Sequence, residues 1–278
     1  MKTYIKANQP WWRIDLREIW EYRDLLRMLV RRDLTAVYKQ TLLGPLWFII
    51  QPLVTTVIFT IIFGQVAKVP TDGIPQFIFY MSGTVLWNYF SGCMTQAGNS
   101  LVGNMHVLTK VYFPRLVMPL SSVVTNLAHL ALNFTMFLGF YLFFLFARDT
   151  AMVPQWSLLA FPLLVLQCAL LGLALGLWIA GLTTKYRDLS FALPFLTQVW
   201  MFMTPIVWPA SQVQNPALQW LLWLNPMAFV VECGRWMFTG AGTLSWAVGG
   251  LSVGMTAILL ATGLLLFNRV QRNFVDTI

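Results

Sequence analysis

The chain has 278 residues, of which 58% are hydrophobic and 10% charged, and its mean hydropathy is +0.67. Soluble domains are roughly a quarter charged, so this composition excludes an ordinary soluble domain, and 15% aromatic residues fit a membrane protein. A net charge of +8 would suggest nucleic-acid binding in a soluble chain, but the cations here are placed as topology signals and no nucleic-acid partner is expected; the scattered Cys93, Cys168 and Cys233 and the distant His106 and His129 offer neither a disulfide framework nor a metal site.

Residues 1–40 read as a cytoplasmic amphipathic segment ahead of a transmembrane domain over 41–278. Within 11–39, Leu25, Leu26, Leu29 and Val30 recur at helical spacing, and Ile19 and Tyr22 extend the stripe. Arg13, Arg17, Asp24, Arg27 and Arg31 fall mainly on the other side. Pro10 and the Gly44-Pro45 turn bracket this helix. It is expected to lie in the plane of the cytoplasmic interface. Two roles are open to it: a membrane-surface anchor, which composition favours, or a platform for a cytoplasmic partner or an anionic lipid headgroup.

Six stretches lack Asp, Glu, Lys and Arg: 40–67, 73–109, 116–147, 150–184, 189–231 and 236–268. A spanning helix needs about 20 apolar residues, and a charge at its centre costs about 2.5–3.5 kcal/mol on insertion. The expected spans are 46–66, 76–97, 118–146, 157–182, 189–208 and 244–267. A charged segment precedes the first apolar run, so no cleavable signal peptide is expected. With both termini cytoplasmic, fifteen Lys and Arg fall inside and three (Lys68, Arg148, Arg235) outside, which fits an even number of spans. A seventh span over 217–240 would carry Asn225-Pro226, Glu232 and Arg235 and would reverse the C-terminal charges. The segment 209–240 is therefore read as re-entrant or interfacial on the outer side, beside a pathway.

Other features carry two readings each. His129, inside the third span, is a helix-packing hydrogen-bond group or a proton relay. Trp208, Trp220, Trp223, Trp236 and Trp246 form an outer interfacial belt or line a channel. Phe48, Phe59, Phe79, Tyr80 and Tyr89 could likewise offer flat apolar faces to a passing sugar. Gly172, Gly176 and Ala180, and separately Gly250 and Gly254, form small-residue strips for helix packing, more safely within the chain than between chains. The sequon at Asn133-Phe134-Thr135 lies inside a span and is dismissed.

Several chemistries are excluded. No Lys follows a Gly, so there is no Walker A motif. No acidic cluster for a Mg²⁺-dependent transferase is present, since Asp188 stands alone. No metalloprotease helix, no GxSxG elbow and no internal repeat are visible. What remains is a permease-like body with no catalytic residues, metal, cofactor or energy source of its own.

The segment Tyr38-Lys39-Gln40-Thr41-Leu42-Leu43-Gly44-Pro45-Leu46-Trp47, with Gln51-Pro52, resembles the start of a type-2 ATP-binding-cassette permease. The similarity continues at Lys110-Val111-Tyr112-Phe113-Pro114-Arg115 with Met118-Pro119-Leu120-Ser121-Ser122, then at Tyr186-Arg187-Asp188-Leu189. It ends with Thr204-Pro205-Ile206, Leu224-Asn225-Pro226, and the C-terminal Phe267, Arg269, Phe274 and Asp276. The branch it resembles exports bacterial polysaccharides such as O-antigen, capsule or teichoic acid. From about residue 20 onward the motifs fall in order and on the expected sides.

The resemblance implies an all-α integral membrane protein with six transmembrane helices, an N-terminal interfacial helix and an outer re-entrant segment between spans five and six. It implies a homodimer in the bacterial inner membrane, driven by two copies of a separate ATPase subunit. The interfacial helix and the first cytoplasmic loop, Val102–Arg115, would contact that ATPase. In this loop Lys110 and Arg115 would couple the subunits, Tyr112 and Phe113 would dock, and Pro114 would fix the bend. Read without the family, Lys110 and Arg115 serve topology alone. The approach Asn104-Met105-His106-Val107-Leu108-Thr109 is less basic than expected of relatives, which favours docking by shape over docking by charge. The Leu43-Gly44 turn would sit near the cytoplasmic portal, where Arg31, Arg32 and Lys39 would meet the diphosphate of a polyprenyl-linked polysaccharide through bidentate contacts. The same cations could instead bind anionic lipid. Phe48, Phe59, Tyr80, Tyr89 and Trp208 are candidates for the glycan path. An integral-membrane enzyme of glycan or lipid assembly, or a permease for a small hydrophobic compound, are the alternatives.

Overall fold

The computed structural model describes residues 16–39, 44–104, 113–147, 152–186 and 188–273, and all regular structure among them is helical. Two short helices come first, α1 (Leu16–Glu21) and α2 (Arg23–Lys39). The helix α3 (Trp47–Phe59) continues as a π-helix over Thr60–Val66. The next elements are α4 (Gln76–Gly98), α5 (Ser100–Gly103), α6 (Val117–Ala147) and α7 (Phe161–Lys185). The last are α8 (Leu189–Met203), α9 (Pro216–Trp223), α10 (Pro226–Thr239) and α11 (Trp246–Asn273).

Four segments are long and apolar enough to cross a membrane: Trp47–Val66, Val117–Phe146, Trp156–Thr184 and Trp246–Gln271. They coincide closely with expected spans one, three, four and six, and the chain is a multi-pass membrane protein. The other two expected spans differ. Helix α4 occupies the second stretch but is too polar to qualify by composition, because protein rather than lipid surrounds it. Sixteen of its 23 residues are buried, against α6, α7 and α10. In that setting polar groups need only internal partners. The hydroxyls of Ser82, Thr84 and Thr95 donate to the carbonyls of Phe79, Met81 and Ser91. The Gln96 and Asn126 amides pair across to α6, Asn126 Nδ2 donating to Gln96 Oε1 at 2.9 Å. Helix α8 has 15 residues and ends at Met203 rather than 208. That length rises about 22 Å, against a hydrocarbon thickness of about 30 Å. Of the six expected spans, four are thus apolar helices long enough to cross a membrane, while the other two correspond to one protein-enclosed helix and one short one.

The centre of the body is the contact of α4 with α7, and it depends on missing side chains. A Cβ at Gly172 would lie 2.7 Å from Cys93 Cβ, and one at Gly176 would lie 2.6 Å from Ala97 Cβ. The strip seen in the sequence therefore packs within the chain. The strip at Gly250 and Gly254 does not: nothing lies within 4 Å of either Cβ position. Its packing role inside this chain is corrected accordingly.

The segment after α8 turns at 204–209 and continues through α9 into α10. Asn225 caps α10 by accepting from Met227 N–H at 3.1 Å, and its Nδ2 donates to Thr204 Oγ1 at 2.9 Å. Thirteen of the fourteen α10 residues are buried. Ser252 of α11 donates to the Pro226 carbonyl and itself accepts from Gln167 of α7, both at 2.8 Å. At the other end Tyr141 of α6 donates to the Phe238 carbonyl at 2.7 Å, and the backbone N–H groups of Val153 and Gln155 donate to Thr239 and Met237. Helix α10 is therefore wedged between three long helices.

Candidate functional site

The face expected to be cytoplasmic is assembled around α1 and α2. The apolar stripe along α1 and α2, Ile19, Tyr22, Leu25, Leu26 and Leu29, packs on Phe113 and on Val117 and Met118 at the start of α6. Leu29 is thus buried and the rest of the stripe half-buried against protein, while Trp20 and Met28 remain 71% and 70% exposed. This arrangement suits a platform better than a membrane anchor, which needs a free apolar face.

Of the expected coupling residues, Lys110 and Tyr112 lie outside the described residues. Phe113 does not present a docking ring. It is 5% exposed and sits among the α2 and α6 side chains, so it positions the loop. Pro114 and Arg115 are half-buried, and their carbonyls accept from Val117 and Met118 N–H to open α6. Arg115 Nη1 donates to the Gln271 carbonyl at the end of α11. The end of the loop is thereby tied to α2, α6 and α11 together.

Three expected headgroup cations meet at one place. Arg31, Arg32 and Lys39 line a hollow of about 430 Å³ with Met28, Thr35 and Ala36. Arg31 also borders a neighbouring hollow of about 290 Å³ floored by Leu26, Val30, Leu34 and Val124. The cations are not equivalent. Arg32 donates through Nε to Asp33 Oδ1 at 2.9 Å and through Nη2 to Asn104 Oδ1 at 3.0 Å. Arg31 and Lys39 form no ion pair among the described residues. Two guanidinium or ammonium groups over an apolar floor match a phosphate on a hydrocarbon tail. Leu43 lies outside the described residues. Gly44 has φ +50 and opens a short 3-10 turn into α3, a backbone state that glycine adopts without strain.

The five candidate path aromatics are not gathered in one cavity. Phe48 stacks on His129, ring centroids 3.9 Å apart. Phe59 meets Tyr80 edge-on at 6.3 Å, and both are buried with Tyr89 in the core of the single chain. Trp208 is half-buried and donates from Nε1 to the Phe202 carbonyl at 3.1 Å.

Sequence reasoning missed three polar contacts: Arg32 to Asn104, Arg115 to Gln271, and a buried pair, Glu232 with Arg235. Only the last had a signal, two opposite charges three residues apart in an otherwise uncharged region.

Comparison with known proteins agrees with this architecture. A family model described as ABC-2 type transporter matches residues 24–239. An O-antigen export system permease protein of Myxococcus xanthus is 33% identical over 225 residues, covering 80% of this chain and 83% of the relative. A protein of the same description from Klebsiella pneumoniae is 26% identical over 91% of this chain and 94% of its own length. A polysialic acid transport protein of Escherichia coli is 25% identical over 74% and 78%. The match covers α2, the α4 to α7 body and the segment through α10, and the chain belongs to the ABC-2 type transporter family.

Proposed function

We propose that this chain is the permease subunit of an exporter that moves a lipid-linked polysaccharide, O-antigen-like in kind, out across the bacterial inner membrane. The observation that carries this is the similarity, over most of both chains, to permeases named for O-antigen export, seconded by the polysialic acid transporter. The chain contains no Walker A motif, so a separate ATPase subunit supplies the energy, two copies serving a permease homodimer. In this reading α4 and α8 complete six crossings, both termini are cytoplasmic, and α9 with α10 forms a re-entrant hairpin from the outer side. Irregular backbone at membrane depth is tolerated where protein encloses it, and the burial of α10 supports that placement.

The cytoplasmic contacts suggest how ATP binding would be transmitted. A push on the loop ending at Arg115 acts on α2 through Phe113, on α6 directly, and on α11 through the Gln271 carbonyl. Arg32 connects α2 to Asn104, just beyond α5, and so to the end of α4. The loop and α2 would then move as one lever. Arg31 and Lys39 would receive the diphosphate of a polyprenyl carrier at the mouth of this lever.

Deleting the gene tests the cargo. Full-length polymer trapped on the cytoplasmic side, and returned to the surface by a wild-type copy, is the expected result. Failure to make the polymer at all would revive a biosynthetic enzyme. Unchanged surface glycan would turn the reading to a small-molecule permease.

A further inference from the structure

Helix α10 carries an ion pair where charge is hard to place. The Glu232 and Arg235 side chains are 2% and 1% exposed, and Arg235 Nη1 donates to Glu232 Oε1 at 2.7 Å. Both residues stand on the same helix, three positions apart. Glu232 also touches the loop after α10 at Gly242 and Thr243, and two further bonds of the pair reach a different segment, the turn after α8. Arg235 Nη2 donates to the Pro205 carbonyl at 2.7 Å, and Ala210 N–H donates to Glu232 Oε1 at 3.3 Å. The guanidinium carbon lies 3.7 Å from the centre of the Phe79 ring on α4. Between these two bonds sits Ile206, fully buried, with a Cβ at Gly83 of α4 falling 3.2 Å from its Cγ2. One charge pair on α10 thus holds both ends of the 205–210 turn against α4.

The division of these bonds is informative. If the turn moved away, the Pro205 and Ala210 bonds would break, together with the flanking bonds from Asn225 to Thr204 and from Ser211 to Asp72. The bond between Glu232 and Arg235 is internal to α10 and would survive, so no lone charge would be stranded in the interior. A pair shared between two moving segments would strand one charge on each, a heavy penalty. The anchors of α10 at Pro226, Met237, Phe238 and Thr239 do not involve the turn either. These anchors would hold the helix in place if the turn separated from it. Arg235 Nε is buried without a partner, so the seated turn leaves the guanidinium incompletely bonded. Further out, Ser211 donates to the exposed carboxylate of Asp72 at 2.8 and 3.0 Å, joining this segment to the loop between α3 and α4.

We infer that Arg235 is a positioning residue that clasps the 205–210 turn onto α4, and that this turn leaves its seat during each transport event. The inference rests on the exporter reading. Two measurements test it, both on the chain with its ATPase in membranes. In the first, Asp72→Cys and Ser211→Cys are combined and oxidised from the outer side. The native Cys93, Cys168 and Cys233 are buried, which leaves the exposed pair to react. Export is expected to stop when the disulfide forms and to return on reduction; undiminished export by the cross-linked protein would overturn the inference. Absence of export by the wild-type chain would count against the exporter reading instead. In the second, Ile206→Cys is probed with a membrane-impermeant maleimide. Arg235→Lys keeps the charge but not the planar fork that reaches two acceptors. Losing one charged hydrogen bond should raise labelling about tenfold. Equal labelling with and without Arg235→Lys would overturn the clasp.

Discussion

Two regions of this molecule use arginine in opposite ways. At the N-terminal end the ion-paired charges of α1 and α2 are exposed. Arg27 meets Asp24 at 3.3 Å with both side chains 75% exposed, and Arg17 meets Glu21 at 3.8 Å. Solvent screens such pairs and they hold little together, so their cations stay available to a headgroup or a partner subunit. In α10, by contrast, Arg235 and Glu232 are sealed in protein. They can be offered to nothing outside and act only by organising the backbone around them. The lesson is that burial, more than residue type, separates a binding charge from a structural one.

The largest effect should come from breaking the buried pair. Glu232→Gln leaves Arg235 charged and unpaired and should destabilise the protein by about 3–5 kcal/mol. Thermal denaturation in detergent, or the amount of folded protein in membranes, would register it. Replacing both, Glu232→Leu with Arg235→Met, should be far milder in stability because no charge is left alone, yet it should leave the 205–210 turn loose. A double variant as unstable as the single one would show that the pair stabilises the fold outright. The next effect in size concerns packing. Gly176→Leu places a side chain where even a Cβ lies 2.6 Å from Ala97. It should cost about 1–3 kcal/mol and lower the melting temperature.

Along α2 the expected effects are on export, not on folding. Arg31→Gln with Lys39→Gln should reduce export severalfold while leaving the melting temperature unchanged, since neither cation is paired among the described residues. A matching fall in stability would reassign them to the fold. Smallest of all, Asp24→Ala should shift stability by less than about 1 kcal/mol, as exposed pairs do, and a larger shift would mean that this face is covered in the assembled protein.

The pattern of what could be read in advance follows the same division. Spans facing lipid were visible because lipid excludes charge from them, as at 47–66 and 246–271. Helix α4 was located by its freedom from charge, but its central position was not. Its polar residues are silenced by partners such as Asn126 that no sequence spacing reveals. The stripe on α2 was legible as amphipathic, but whether lipid or protein covered it depended on Phe113 and Met118, far along the chain. The trio Arg31, Arg32 and Lys39 was legible as a group because a single helix carries it. The fork of Arg32 to Asn104, 72 residues away, was not. Local periodicity thus gave the surfaces of single helices, and long-range contact decided their use.

The central claim is vectorial movement of a lipid-linked polysaccharide. It is tested most directly in inside-out membrane vesicles holding the chain and its ATPase, with labelled polymer on the cytoplasmic, outward-facing side. ATP should carry the polymer into the lumen, where an added glycan-degrading enzyme no longer reaches it. Polymer that stays fully digestible while ATP is hydrolysed would contradict the account.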